Sequence, residues 1–187
     1  TGSPEILDSR VKTLYPTIQG GLLGRRTVPA QVEQMEQQGI GPIDVVVVNL
    51  YPFEATIAKP NCSFEEAIEN IDIGGPSMLR SAAKNHEDVL VVVAPADYPR
   101  VLDAAKAGTV SHELRRELAM KVFQHTARYD SLIAAYLEKQ VQGSETKFPK
   151  ILSLQFELAE TLRYGENPHQ LGAFYRELNS NEPSVSR

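Results

Sequence analysis

Four short segments bring together the side chains that acid–base or anion-binding chemistry requires. Arg10-Val11-Lys12-Thr13 places two cations and a hydroxyl within four residues, close before the glycine-rich stretch Gln19-Gly20-Gly21. Charge-assisted donors converging from one loop suit an anionic or oxygen-rich ligand, and an ordinary solvated loop fits the same residues. Ile71-Asp72-Ile73-Gly74-Gly75-Pro76-Ser77 sets paired glycines ahead of a proline that opens a helix. Glycines let a ligand approach the backbone, and the free N–H groups of a helix start point toward it. Asp72, held just before that turn, is placed to accept a ligand hydrogen bond or a proton, or simply to shape an Asx turn. Lys84, followed by Asn85 and His86, closes the same helix. A lysine there matches the helix dipole, whereas a partly buried one loses charge readily and serves as acid or base near neutrality. Asn49 and Tyr51 directly follow an apolar β-branched run, the place where open parallel sheets bind ligands, although Tyr51 equally suits packing. The four histidines, His86, His112, His125 and His169, lack metal-ligand spacing, so no metal site is expected.

The elements that must position these residues follow from periodicity. Residues 44–50 and 89–94 are short, continuous β-branched runs, the pattern of strands buried on both faces of a parallel sheet. Helices are predicted over 30–38 with Gly39 as the stop, from Ser63 to about Asn70, from Pro76 to Asn85, and from Pro95 to near Gly108. The longest spans 111–140, where Leu114, Leu118, Val122, Phe123, Leu132, Ile133, Tyr136 and Leu137 recur at helical spacing. Alternating strands and helices indicate an α/β layered domain with a mainly parallel sheet and right-handed crossovers. The polar stretch 142–147 reads as a linker, and the alternating segment 151–158 as the start of a new sheet. The predicted organisation is therefore a domain over 1–141, a linker over 142–150, and the start of a second α/β domain over 151–187.

Composition narrows the function classes. At 187 residues the chain can bury one full core with a remnant to spare. A formal net charge of -5 argues against broad nucleic-acid binding and leaves room for a local phosphate pocket. The single Cys62 excludes an intrachain disulfide and an all-cysteine metal site, in keeping with a reducing cytosol. Between Asn61 and Ser63 it reads as an inert thiol. The longest apolar run, Val45 to Val48 with Leu50 nearby, is far too short to cross a bilayer, and no signal pattern precedes it. A soluble protein without membrane or nucleic-acid partners is expected. The opening Thr1-Gly2-Ser3-Pro4, without Met, suggests a truncated start.

Five segments in this order carry a resemblance: Arg10-Val11-Lys12-Thr13-Leu14, Asn49-Leu50-Tyr51-Pro52-Phe53, Ile71-Asp72-Ile73-Gly74-Gly75, Ala82-Ala83-Lys84-Asn85-His86, and the run from Arg163-Tyr164 to His169-Gln170. Together they resemble the bifunctional phosphoribosylaminoimidazolecarboxamide formyltransferase and IMP cyclohydrolase. The resemblance implies a methylglyoxal-synthase-like α/β fold, shortened at its amino end, followed by the beginning of a formyltransferase domain. It implies closure of the purine ring: the carboxamide nitrogen of a formylated nucleotide attacks the formyl carbon and water leaves. Carried across, Lys84 is the acid/base, Asp72 orients or deprotonates the carboxamide, and Lys12 and Tyr51 polarise or steady the formyl group. Arg10, Val11, Thr13, Asn49, Ile73 and Gly74 become nucleotide contacts, with Arg163 and Tyr164 contacting the nucleotide that accepts the formyl group. The ring closure needs no cofactor, and 10-formyltetrahydrofolate is the co-substrate of the longer parent, whose remaining catalytic residues lie beyond Arg187. A homodimer in the cytosol is implied as well.

Tyr15 and Gln19 stand where the family usually has histidines, and Ser9 where it usually has glycine. The family's phosphate-gripping loops precede Thr1, so the chain alone is expected to bind nucleotide poorly, turn over slowly or not at all, and leave a sheet edge unpaired. A second reading is a catalytically inactive nucleotide-binding or interaction module. A third, a related enzyme acting on a small phosphorylated aldehyde or carbamoyl phosphate, is opposed by the motif from Arg163 to Gln170.

Overall fold

The two β-branched runs pair as parallel strands, each shorter than its apolar stretch. In the computed structural model, β1 (Val45–Val47) lies beside β2 (Leu90–Val92) in the register Val45 to Leu90, Val46 to Val91 and Val47 to Val92. The ladder is lengthened by the Leu90 N–H donating to the Asp44 carbonyl (2.8 Å) and the Val48 N–H donating to that of Val92 (3.1 Å). The structure describes residues 6–7, 10–142 and 148–178. The chain divides into two units, Thr1–Ala134 and Ala135–Arg187.

Seven helices are described. In chain order they are α1 (Pro16–Leu23), α2 (Pro29–Gln37), α3 (Phe53–Ile57), α4 (Phe64–Glu69), α5 (Gly74–Lys84), α6 (Tyr98–Lys106) and α7 (His112–Gln142). One sheet face is packed by Leu22 of α1, Leu79, Ala82 and Ala83 of α5, and Ala119 and Val122 of α7, against Val46, Val89, Val91 and Val93. On the other face Leu90 and Val92 meet Val101 of α6 and Leu118 of α7. Strand β2 is thus buried on both faces, as its sequence predicts. Strand β1 departs from that expectation: Val46 is buried, but Val45 and Val47 are 52% and 53% exposed. The side chains that cover this face centre on β2, leaving the β1 valines beyond their edge.

Several predicted helices are re-bounded for identifiable reasons. The helix predicted from Pro76 begins at Gly74, because a proline is tolerated within a first turn and need not start it. The helix predicted from Pro95 is split into a 3-10 turn (Pro95–Asp97) and α6. A continuous α-helix would need an N–H at Pro99 to reach the Pro95 carbonyl, and proline has none. The buried Asp97 then accepts from Lys121 of α7 (2.8 Å) and Arg100 of α6 (3.0 Å), which ties the two helices together. Ser63 caps α4 as predicted, its hydroxyl accepting the Glu66 N–H (3.0 Å). Phe123, expected on the core face of α7, is exposed, with the Arg80 guanidinium 5.4 Å from its ring centre.

Gln19-Gly20-Gly21 lie inside α1, a helix that is not among the predicted ones. A Cβ on Gly21 would come within 2.6 Å of the Gly41 carbonyl oxygen, so this glycine lets the helix lie directly on the chain leading to β1. The carboxyl end of α1 is tied down by Asn85, whose Nδ2 donates to the carbonyls of Leu22 (2.9 Å) and Gly24 (3.1 Å). Asn85, drawn from a motif read for chemistry, is a buried structural tether.

In the second unit β3 (Phe156–Leu162) and β4 (Gly172–Glu177) form an antiparallel hairpin with an irregularity between Leu158 and Glu160. The strand predicted over 151–158 starts only at Phe156, because β4 offers partners from that residue onward. Most of the expected linker, residues 143–147, lies outside the described residues, as do residues 1–5 and Ser9.

Candidate functional site

Three of the four motifs converge on one cleft. It has a volume of about 740 Å³ and is lined by residues 10–14, by Val48, Asn49 and Tyr51 beyond β1, and by residues 71–75 leading into α5, with Ile68, Glu69 and Met78. The parallel pairing of β1 with β2 places the Asn49–Tyr51 segment at the carboxyl end of the sheet, beside the amino end of α5. This is the ligand position that open α/β sheets favour.

Asp72 is held at both of its carboxylate oxygens. Its Oδ1 accepts the Gly75 N–H (2.8 Å) and its Oδ2 accepts the Tyr51 N–H (3.3 Å), so the carboxylate bridges the α5 turn and the loop after β1. A carboxylate offers about four acceptor sites, and these two bonds leave capacity for a ligand. The paired glycines are demanded by these neighbours. A Cβ on Gly74 would meet the Thr13 hydroxyl at 2.5 Å, and one on Gly75 would overlap the Asp72 carboxylate and Leu50. Thr13 and Asp72 therefore press on the same turn from two sides.

The cations are arranged less simply than their spacing suggests. Lys12 lines the cleft. Arg10 also lines it but is paired with Glu69 (2.8 Å), an acidic wall residue that the sequence motifs do not single out. Val11, Thr13, Ile73 and Gly74 also line the cleft. Asn49 reaches the cleft with its amide engaged at both ends: Nδ2 donates to the Val93 carbonyl (3.0 Å), and Oδ1 accepts from the Tyr98 hydroxyl (2.9 Å). Tyr51 is half exposed at the rim.

Lys84 is not brought to this cleft. It stands at the opposite end of α5, about 15 Å along the helix from Gly74 by helical rise. There it lines a separate hollow of about 580 Å³ with Arg80, His86 and Phe123. Arg163 and Tyr164 lie in the other unit, exposed in the loop that joins β3 to β4. That loop is closed by the Gly165 N–H donating to the Gln170 carbonyl (2.8 Å).

Two further residues bear on the cleft from α7. Tyr129, buried, has its hydroxyl between the Asp72 N–H, which donates to it (2.8 Å), and the Asn70 carbonyl, to which it donates (3.2 Å). Arg128 makes a two-pronged ion pair with Glu54 of α3 (2.7 and 3.0 Å). The signal for Tyr129 was its place seven residues beyond Val122, on the same helical face.

Chemically, the cleft offers a fixed carboxylate, a lysine, a tyrosine hydroxyl and backbone N–H groups at a helix start. That set suits proton transfer on an oxygen-rich or anionic ligand. Among the described residues no group of three or more His, Cys, Asp or Glu side chains is placed to hold a metal ion, and no helix is long and apolar enough to cross a membrane.

An MGS-like domain matches residues 1–77, and the AICARFT/IMPCHase bienzyme family matches residues 82–187. The chain is 55% identical over 186 residues to the bifunctional purine biosynthesis protein PurH of Oceanobacillus iheyensis, covering all of this chain and 36% of that protein. Among solved structures, that of ForH superposes with a TM-score of 0.64 at 37% identity, over 71% of this chain and 69% of the other. The chain spans little more than a third of the curated relative's length and belongs to the AICARFT/IMPCHase bienzyme family.

Proposed function

We propose that the cleft between the Arg10–Thr13 segment, the Asn49–Tyr51 segment and the start of α5 closes the purine ring of 5-formamidoimidazole-4-carboxamide ribonucleotide to give IMP. The observation that carries this reading is the bridging position of Asp72, held by the N–H groups of Gly75 and Tyr51 with acceptor capacity to spare. In the reaction the carboxamide nitrogen forms a bond to the formyl carbon and loses a proton, which Asp72 is placed to accept. The formyl oxygen gains two protons, with Lys12 and Tyr51 as the donors, and leaves as water, while the formamide nitrogen gives up its own proton as the ring C=N bond forms, so that two protons are released and two are taken up. Arg10, Val11, Thr13, Asn49, Ile73 and Gly74 hold the nucleotide. No cofactor enters this step.

Formyl transfer from 10-formyltetrahydrofolate belongs, on this reading, to the longer protein of the relatives, with Arg163 and Tyr164 touching the acceptor nucleotide. A cytosolic homodimer is part of the same proposal. Lys84 keeps its acid/base role through the resemblance alone, and its position in a separate hollow favours a second reading: a cleft that binds nucleotide without turning it over.

Titrating the chain with IMP while following backbone amide resonances tests the location. Shifts concentrated at Tyr51, Asp72, Gly74 and Gly75 support the cleft, and shifts confined to the surroundings of Arg80 and Lys84 contradict it. Gly75→Ala is a sharper probe. Its Cβ must displace the Asp72 carboxylate, so ring closure is expected to slow at least about ten-fold, since misplacement by about 1 Å has large kinetic effects. Steady-state kinetics beside a melting curve would check this.

A further inference from the structure

Asp72 is held from below as well as from its flanks. Its N–H donates to the Tyr129 hydroxyl, which in turn donates to the Asn70 carbonyl, so one phenol closes the turn that delivers the carboxylate. The Tyr129 ring meets Phe53 edge-on, centroids 6.2 Å apart at 69°. Phe53 begins α3, one residue beyond the Asn49–Tyr51 wall, its N–H donating to the Tyr51 carbonyl (2.8 Å). The neighbouring Arg128 grips Glu54 of the same short helix. Tyr129 therefore touches the Asn70–Asp72 turn and, with Arg128, the short helix α3 that continues the Asn49–Tyr51 segment.

We propose that Tyr129 is the positioning residue of the cleft: its hydroxyl sets the Asn70–Asp72 turn, its ring sets the Phe53 end of the other wall, and together they aim the Asp72 carboxylate. The inference rests on the proposed ring closure for its kinetic consequence and on geometry alone for the rest. A turn of this kind has no regular secondary structure to hold it, and buried backbone N–H and carbonyl groups need partners. The phenol supplies one donor and one acceptor, matching the two orphaned groups. Burial pushes the Tyr129 hydroxyl above its ordinary pKa, so it stays protonated and able to donate at neutral pH.

The test is Tyr129→Phe in the 187-residue chain, which keeps the ring against Phe53 and removes the two hydrogen bonds. Amide hydrogen exchange reads the geometry without turnover. Gly75 and Tyr51, whose N–H groups bond to the Asp72 carboxylate and not to Tyr129, should exchange at least about ten-fold faster, while Val91 in β2 keeps its protection. Unchanged protection at Gly75 and Tyr51 overturns the proposal. Lost protection at Val91 as well overturns it too, by making Tyr129 a general support of the fold. The kinetic counterpart is a double-mutant cycle in the chain joined to the amino-terminal segment of its relatives. Tyr129→Phe should lower kcat about ten-fold with KM little changed, and should add almost nothing in an Asp72→Asn background. Equal losses in both backgrounds sink the link to Asp72. If the chain joined to the amino-terminal segment of its relatives shows no ring closure at all, the functional reading fails by itself, and the exchange result still decides whether Tyr129 aims the carboxylate.

Discussion

Asp72→Asn should slow ring closure by about 100- to 1,000-fold, the range over which a positioned general base contributes. The substituted side chain keeps an oxygen for the Gly75 N–H, but its amide nitrogen cannot accept the Tyr51 N–H or a proton from the substrate. The loss belongs in kcat, because the nucleotide contacts on the Arg10–Thr13 segment are untouched. The melting temperature should fall by only a few degrees, since the carboxylate is partly exposed and its structural duty is half retained. Initial rates across a substrate series separate the two parameters. A raised KM with unchanged kcat would make Asp72 a binding residue only, and would move the proton acceptor elsewhere.

The largest effect on stability is expected from Phe53→Ala, at about 3–5 kcal/mol. Phe53 is 1% exposed and meets the Tyr129 ring edge-on. Truncation leaves a cavity under α3, a helix of five residues that cannot hold itself without packing. Chemical denaturation followed by circular dichroism gives the free-energy change. Phe53→Leu, which refills most of the volume, should recover more than half of it. Because Phe53 and Tyr129 also set the cleft walls, the alanine variant should lose activity at temperatures where most of it is still folded.

What the sequence discloses about this molecule depends on the kind of feature. The strand pair is legible because β-branched runs with turn residues around them leave few alternatives, and Ser63 with Glu66 announces α4 through ordinary capping chemistry. Helix α1 is hidden: Gly20 and Gly21 argue locally against a helix, and the close backbone approach that requires Gly21 is a tertiary fact. The Pro16 at its first turn was the available signal. The exposed Val45 and Val47 show a related limit, since apolar character fixes a preference for burial while the neighbouring helices decide whether burial is reached.

The site divides along the same line. Arg10, Lys12, Thr13, Asn49, Tyr51 and Asp72 sit on segments adjoining strand ends and helix starts, so topology carries them to one place. Lys84 shares a helix with Gly74, yet the length of that helix carries it away from Gly74, and no motif records distance. Glu69 and Tyr129 escaped notice because each looks ordinary in its own segment. Their importance arises from contacts with Arg10 and with the Asp72 turn, 59 and 57 residues away in the chain.

The Asp72 cleft either closes a ring or only holds a nucleotide. The absorbance change that accompanies conversion of 5-formamidoimidazole-4-carboxamide ribonucleotide to IMP measures this directly, using the chain joined to the amino-terminal segment of its relatives, beside Lys12→Ala and Lys84→Ala versions. Saturable IMP formation is expected, falling at least about 100-fold when the cleft lysine, Lys12, is removed, with Lys84→Ala reporting whether the second hollow takes part. An unsubstituted protein that binds IMP but forms it no faster than buffer would contradict ring closure in this cleft and leave a nucleotide-binding module in its place.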